Sequence, residues 1–383
     1  MLIYFLVFAI AFIYYKTTEN TPSVHSYIPL ALFFSYLAIF IGLGDMIGGY
    51  DRYIYGEIFD SIADSTRGDH NYSSLLILVN GDEYGYFIFQ ILISYITANR
   101  YIFIFICSIL MYVLYYRAFR LYINNYPIAC FLFLGLFYYF TITYIRQTIA
   151  VGIIWQSVRY IWLRKPIPFF SLVIIAYSFH NSALIFLPMY FVPIKKFTQQ
   201  QILWFLSICL ILSLTPLPSF LISSAGDATG MEGRTNIYAS NEMQGFRWDY
   251  LMEVAFFIWI FLSNHHLISK KKKEIVFFNI SIIFCAILLF FIRFGQGGRF
   301  GWYYLIGLIY MLTRLTTRPK ALSWMKPLVI AISFLLFARI TFLWAFNLTP
   351  YKTFLTNGLP SGEYYIYEEY EYDIHYTHNK FYR

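Results

Sequence analysis

Three arginines stand where an anion could be held. Arg146 precedes Gln147 within the string Tyr144 to Trp155, and Arg293 and Arg299 flank the turn Gly295, Gln296, Gly297, Gly298. A guanidinium presents a planar fork that suits a phosphate. At membrane depth it costs a few kcal/mol or more unless a partner or a water-filled cavity receives it. The same side chain also snorkels to lipid headgroups, and residue type alone does not separate the two roles. The turn between Arg293 and Arg299 has the composition of an anion cradle, in which backbone N–H groups and two cations face a phosphate. It lacks the preceding strand and the spacing of a nucleotide loop, and an outer turn resting on lipid phosphates accounts for it equally well.

Proton acceptors form a second group. His180, in the string Phe179, His180, Asn181, Ser182, has the chemistry of a base, a sugar-binding donor or a cap at a helix break. Asp51 and Glu83 stand among glycine and aromatic residues in an acidic stretch, where a carboxylate can deprotonate a sugar hydroxyl. Gln147, Asn181, Tyr53 and Lys352 complete the candidates for contacts to a sugar. His265 and His266 lack a second ligand pair. Cys107, Cys130, Cys209 and Cys285 each sit in an apolar run without zinc-site spacing, so neither a metal nor a disulfide is expected.

The elements that must position these groups follow from composition. Of 383 residues, 59% are hydrophobic, 22% aromatic and 13% charged, against roughly 25% charged in an ordinary soluble domain. With a mean hydropathy of +0.58, this excludes a soluble enzyme. The net charge of +8 is scattered between apolar runs and forms no stripe, so nucleic acid is not an expected partner. The fold class is an all-α polytopic membrane protein with about ten to twelve transmembrane helices. Met1 to Tyr15 lacks a basic leader and a small-residue cleavage site, and reads as the first membrane helix. The membrane domain is assigned to 1–346, and 347–383 to a tyrosine-rich extracytoplasmic tail.

Charge sets the expected orientation. Basic clusters at Arg159 to Lys165, Lys195 and Lys196, Lys270 to Lys273, and Arg314 to Lys326 belong on the cytoplasmic side. Four apolar runs (84–98, 101–116, 127–145 and 147–163) separate the outer loop ending at Glu83 from Arg159, yet an odd number of crossings is required. The run 84–98, short and carrying Gln90 and Ser94, is assigned to an interfacial helix within an outer loop spanning 47–100. Only Arg100 then breaks the charge rule. The alternative lays 147–163 on the inner surface. Segment 166–196, with arms of about thirteen residues, is short for two full crossings and reads as a tight hairpin or a re-entrant element. On this topology Arg146, Gln147, the Phe179 to Ser182 bend, Arg293, Arg299, Asp45, Asp51 and Glu83 share the outer face.

The string Tyr144, Ile145, Arg146, Gln147, Ala150, Gly152, Trp155, followed by Phe179, His180, Asn181, Ser182, Ala183 and Pro188, resembles the EpsG family of exopolysaccharide and capsule polymerases, relatives of the Wzy polymerases. The Gly49, Asp51, Tyr55 region, the Glu83 and Gly85 pair, and Pro350, Tyr351, Lys352 are compatible with it. The resemblance implies a bacterial inner-membrane glycosyltransferase, similar in architecture to polytopic GT-C enzymes. It would join undecaprenyl-diphosphate-linked oligosaccharide repeat units at the outer face. The chain departs from the GT-C pattern in lacking a large extracytoplasmic domain and a clear paired-acid motif in its first loop. The implied partners are that lipid-linked oligosaccharide, the bilayer, a chain-length regulator and a flippase, and no cofactor is implied. Diphosphate as a leaving group needs cations as its charge grows, which Arg146, Arg293 and Arg299 supply. The acceptor hydroxyl needs a base, with His180 first and Asp51 or Glu83 next. A flippase or exporter of the same glycan, and a membrane O-acyltransferase using His180, are the rival functions.

Overall fold

The computed structural model describes residues 1–44, 50–68, 83–228, 245–318, 322–349, 351 and 353–355. Asp45, Gly48, Gly49, Asp82, Pro350, Lys352 and the tyrosine-rich tail beyond Leu355 therefore lie outside the described residues. The longer helices are α1 (Leu2–Thr18), α2 (Tyr27–Leu43), α3 (Tyr50–Arg67), α4 (Tyr84–Ser94), α5 (Arg100–Tyr122), α6 (Tyr126–Leu136), α7 (Ile145–Ser157), α8 (Pro166–Phe179), α9 (Gln199–Leu212), α10 (Leu217–Ala228), α11 (Trp248–Ser263), α12 (Lys272–Phe290), α13 (Leu305–Thr316) and α14 (Met325–Leu343). No strand forms among the described residues, where one isolated bridge joins Gly44 to Thr353. The chain is an all-α polytopic membrane protein.

Three described helices, α5, α12 and α14, have the length and hydropathy of a full membrane span, and α9 with α10 makes a fourth if their 77° bend is counted as one broken span. The other apolar runs behind the expected ten to twelve crossings are present as shorter pieces. The run 127–145, for instance, is divided into α6, a short helix Phe140–Thr143 and the start of α7. Such breaks free carbonyls that must be satisfied inside the protein. Tyr122 Oη donates to the Trp155 carbonyl at 2.8 Å near the end of α7, and Tyr4 Oη to the Leu348 carbonyl at 2.8 Å.

The chain divides into two compact units, one made of Met1–Gln156, Ser178–His180 and the residues from Ser323 onward, the other of Ser157–Tyr177 and Asn181–Leu322. In the first unit α2 packs along α5 and α14 along α6. Small residues set the second crossing: a Cβ on Gly135 would lie 2.6 Å from the Ser333 carbonyl oxygen, the close approach that glycine allows between membrane helices. One end of the unit is tied by Lys326 to Glu19 at 3.0 Å and by Arg120 over the Tyr27 ring at 5.0 Å. The opposite end is tied by Phe354 N–H to the Leu43 carbonyl at 3.1 Å and by Tyr351 Oη to the Phe40 carbonyl at 2.7 Å.

Helices α3 and α4 lie at this second end. Phe59 stacks on Phe103 at 4.2 Å, Thr66 Oγ1 meets Ser94 Oγ at 2.8 Å, and Arg67 donates to the Tyr95 carbonyl at 2.9 Å. With 11 residues, α4 is roughly 16 Å long, about half a bilayer core. Gln90 and Ser94 had marked it for the water surface, yet both are buried, while Tyr84, Ile88, Leu92, Tyr95 and Ile96 are exposed. The polar side chains of α4 thus serve packing, and its apolar stripe faces outward.

In the second unit Lys196, Arg314 and Arg318 gather near the start of α12. Lys196 Nζ donates to the His265 and Ile268 carbonyls, each at 2.8 Å, and Glu274 pairs with Arg318 and with Arg314 at 3.7 Å. Segment 166–196 forms a hairpin: α8 is followed by the 3-10 helix Asn181–Tyr190, and Phe169 packs on Tyr190 at 5.0 Å while Arg164 donates to the Tyr190 carbonyl at 3.0 Å. Each arm is roughly 20 Å long, short of the ~30 Å hydrocarbon core.

Candidate functional site

Arg146 is the second residue of α7, directly after the break at Tyr144, and Glu83 is the residue before α4. Arg146 Nη1 donates to Glu83 Oε2, with side chains only 12% and 3% exposed. The guanidinium carbon lies 5.0 Å from the Tyr55 ring and 5.9 Å from the Tyr86 ring, and the two rings meet edge-on at 6.1 Å. Two π faces and one carboxylate therefore stabilise a cation that burial alone would disfavour.

The elements behind this pair are set by other contacts. Arg52, three residues before Tyr55 on α3, is fully buried and donates to the carbonyls of Ile41 at 2.9 Å, Gly44 at 2.7 Å and Ile142 at 3.3 Å. Those carbonyls close α2 and the short helix before Tyr144, where a cation suits the accumulated negative dipole. One arginine thus links the end of α2, the approach to Arg146 and the helix that carries Tyr55.

The bend bearing His180 comes to α4. Phe179 packs against Tyr86 at 6.4 Å and Phe89 at 6.1 Å. Ser178 sits on Gly85, where a Cβ would collide with the serine side chain and lie 3.1 Å from its carbonyl carbon. Glycine at 85 is required for that approach, and it follows Glu83 by two positions. His180 is half-buried at this bend, and Gln147, next to Arg146, is buried.

A second buried arginine stands nearby in sequence terms and differs in chemistry. Arg100, capped by Asn99 at the start of α5, donates through Nε to Asp60 Oδ2 at 2.7 Å and through Nη2 to Glu57 Oε1 at 3.0 Å. Tyr53 lies over it at 5.4 Å. The residue that broke the charge rule is thus an interior ion-pair centre, not a loop cation. Tyr53, a sugar-contact candidate, is committed to Arg100.

In the second unit, the glycine turn is already filled by the protein. Tyr250 Oη accepts from the Gly298 N–H at 3.0 Å, and a Cβ on Gly298 would lie 2.7 Å from that hydroxyl. The N–H groups of Gly297, Arg299 and Phe300 donate to the carbonyls of Phe294, Gln296 and Gly297. Arg247 donates to the Gly295 carbonyl at 2.9 Å and pairs with Asp249 at 2.7 and 2.9 Å. Its hydrogen bonds to Asp249 raise the Arg247 pKa above the ordinary arginine value. The backbone N–H groups expected to form the cradle are therefore spent on internal bonds at these positions, and Arg299 lies 5.6 Å over Trp302.

The structure brings Glu83, Arg146, Gln147 and the His180 bend into one unit, while Arg293, Arg299, Asn181 and Ser182 belong to the other. Ser182 Oγ meets Tyr303 Oη at 2.8 Å. Asp51 opens α3 beside Arg52. Sequence reasoning gave Tyr55 and Tyr86 no role beside Arg146, and missed the anchoring by Arg52. The spacing Arg52, Tyr55 (one helical turn) and the string Glu83, Tyr84, Gly85, Tyr86 were the available signals.

Fold and site together define a membrane protein with a buried, aromatic-lined arginine pair at one end of a helical unit. The profile of the EpsG family matches residues 27–353, and the chain belongs to that family. Membership supports a polysaccharide-polymerase-like function. No curated protein and no solved structure matches the chain.

Proposed function

We propose that this protein is a bacterial inner-membrane polymerase that joins undecaprenyl-diphosphate-linked oligosaccharide repeat units on the outer face. The observation that carries the reading is the buried Arg146 with Glu83 between Tyr55 and Tyr86, at the start of α4, the helix that also seats the His180 bend. The end of the first unit bearing this pair lies opposite the end tied by Lys326 and Arg120. The positive-inside rule assigns the latter to the cytoplasm, which leaves the former outside.

In the proposed reaction His180 takes the proton of the acceptor hydroxyl. The freed oxygen attacks the anomeric carbon of the donor. The bond from that carbon to the diphosphate oxygen breaks, and its electron pair passes to the diphosphate. Arg146 receives the growing charge through its fork, without a metal. Attack opposite the leaving group inverts the anomeric centre. Asp51 remains an alternative base, and Arg293 and Arg299 are kept as side-chain anion contacts of the second unit.

The test is Arg146→Ala and Arg146→Lys in the native host, with the surface glycan resolved by gel. Single repeats displayed outside, with normal protein levels, support the polymerase. A normal ladder defeats the assignment. Repeats trapped inside the cell would favour a flippase, and unchanged polymer length with altered acylation an O-acyltransferase.

A further inference from the structure

In the polymerase reading, Arg146 must meet a diphosphate, yet its fork is engaged by the protein's own carboxylate. Glu83 is the N-cap residue of α4, and its side chain makes no cap hydrogen bond there. A carboxylate at that position has a second place to go. The first N–H groups of a helix are unsatisfied within the helix and attract negative charge, and rotation about the Glu83 side chain exchanges Arg146 for them. We propose that Glu83 is an internal stand-in for the diphosphate: a positioning residue that holds the Arg146 guanidinium aimed in the empty site, leaves when the diphosphate arrives, and returns to expel it.

The energetics favour such an exchange. Breaking a buried ion pair is costly because it strands a charge. Here no charge is stranded, since Arg146 passes from one anion to another and Glu83 passes to its own helix end. The incoming diphosphate carries more negative charge than the carboxylate and fits the fork in two-point fashion. After transfer, the spent polyprenyl diphosphate must leave the same arginine, and the returning carboxylate competes for it. Tyr55 and Tyr86 flank the guanidinium throughout and keep it in place while its anion changes.

This inference rests on the diphosphate reading of Arg146, and its test separates the two. Full-length protein in lipid nanodiscs is titrated with undecaprenyl diphosphate, and polymer formation is followed in the native host. Glu83→Gln removes the competing charge and keeps the side-chain shape. It is expected to bind undecaprenyl diphosphate on the order of tenfold tighter, a shift of 1.4 kcal/mol, while polymerising more slowly because product is retained. Glu83→Asp, too short for the arginine and a better cap, should behave alike and guards against a folding defect of one variant. Weaker or unchanged binding by both variants, with Arg146→Gln still abolishing binding, overturns the exchange and leaves the polymerase reading intact. Tighter binding with undiminished polymerisation overturns the role in release. Equal binding by wild type and Arg146→Gln overturns the diphosphate reading itself and the exchange with it.

Discussion

Two buried arginines of the first unit invite comparison. Arg100 is 2% exposed and faces two carboxylates, Asp60 and Glu57, under Tyr53. Arg146 is 12% exposed and faces Glu83 between two rings. The first cation is surrounded by more negative charge than it carries, so a further anion would be repelled. Among the described residues the carboxylate facing the second is Glu83, which sits at a helix N-terminus able to receive it. The proposed division of roles, architecture at Arg100 and ligand exchange at Arg146, follows from the placement of these counter-charges.

The comparison breaks most sharply at Arg100. Arg100→Ala removes the cation that faces buried Asp60, and should destabilise the protein by about 3–5 kcal/mol, read as loss of protein from the membrane and a lowered melting temperature in detergent. Arg146→Ala should leave protein in the membrane while polymer falls on the order of a hundredfold, the cost of deleting one donor to a developing anion. Wild-type melting in Arg100→Ala, or lost protein in Arg146→Ala, would reverse the two roles.

Gly85→Ala comes next, because the added methyl meets Ser178. Overpacking of this kind costs about 1–3 kcal/mol, and the displaced bend should reduce polymer more than Gly135→Ala, which crowds Ser333 at the α6 and α14 crossing. Equal activity loss at equal stability loss would remove the link between Gly85 and His180. The smallest effect is expected at Tyr55: Tyr55→Leu removes a ring worth about 1 kcal/mol to the guanidinium, and Tyr55→Phe, which keeps the ring, should change melting by less.

Much of the fold was legible from composition and charge, because the bilayer demands long apolar helices and the cell sorts cations to one face. Segment 166–196, expected as a tight hairpin or a re-entrant element because its arms are short, has its two arms packed on each other through Phe169 and Tyr190. The choice of 84–98 as the odd segment used its shortness, the charge rule and the polar Gln90 and Ser94. Their polarity is used inward, against Thr66 and the interior, and the run is short for a different reason, its end at Tyr95. At the site, residue types announced Arg146, Glu83 and His180 as capable of chemistry. Their partners were not legible, since the pairing of Glu83 with Arg146 joins positions 63 apart, and long-range packing of Ser178 on Gly85 and of Phe179 on Tyr86 and Phe89 brings the histidine bend to α4. The glycine turn at 295–298 had the composition of an anion site, but Tyr250 fills it, a long-range contact that local spacing does not encode.

The central claim is that the end of the first unit bearing Arg146 and Glu83 faces the outside, where lipid-linked repeats are joined. The four native cysteines are buried, so single introduced cysteines report sidedness in intact cells. Tyr84→Cys, next to Glu83 and exposed, should react with a membrane-impermeant maleimide, while Lys16→Cys, at the opposite end of the unit, should react only after permeabilisation. The reverse pattern would place the arginine pair in the cytoplasm and contradict the account.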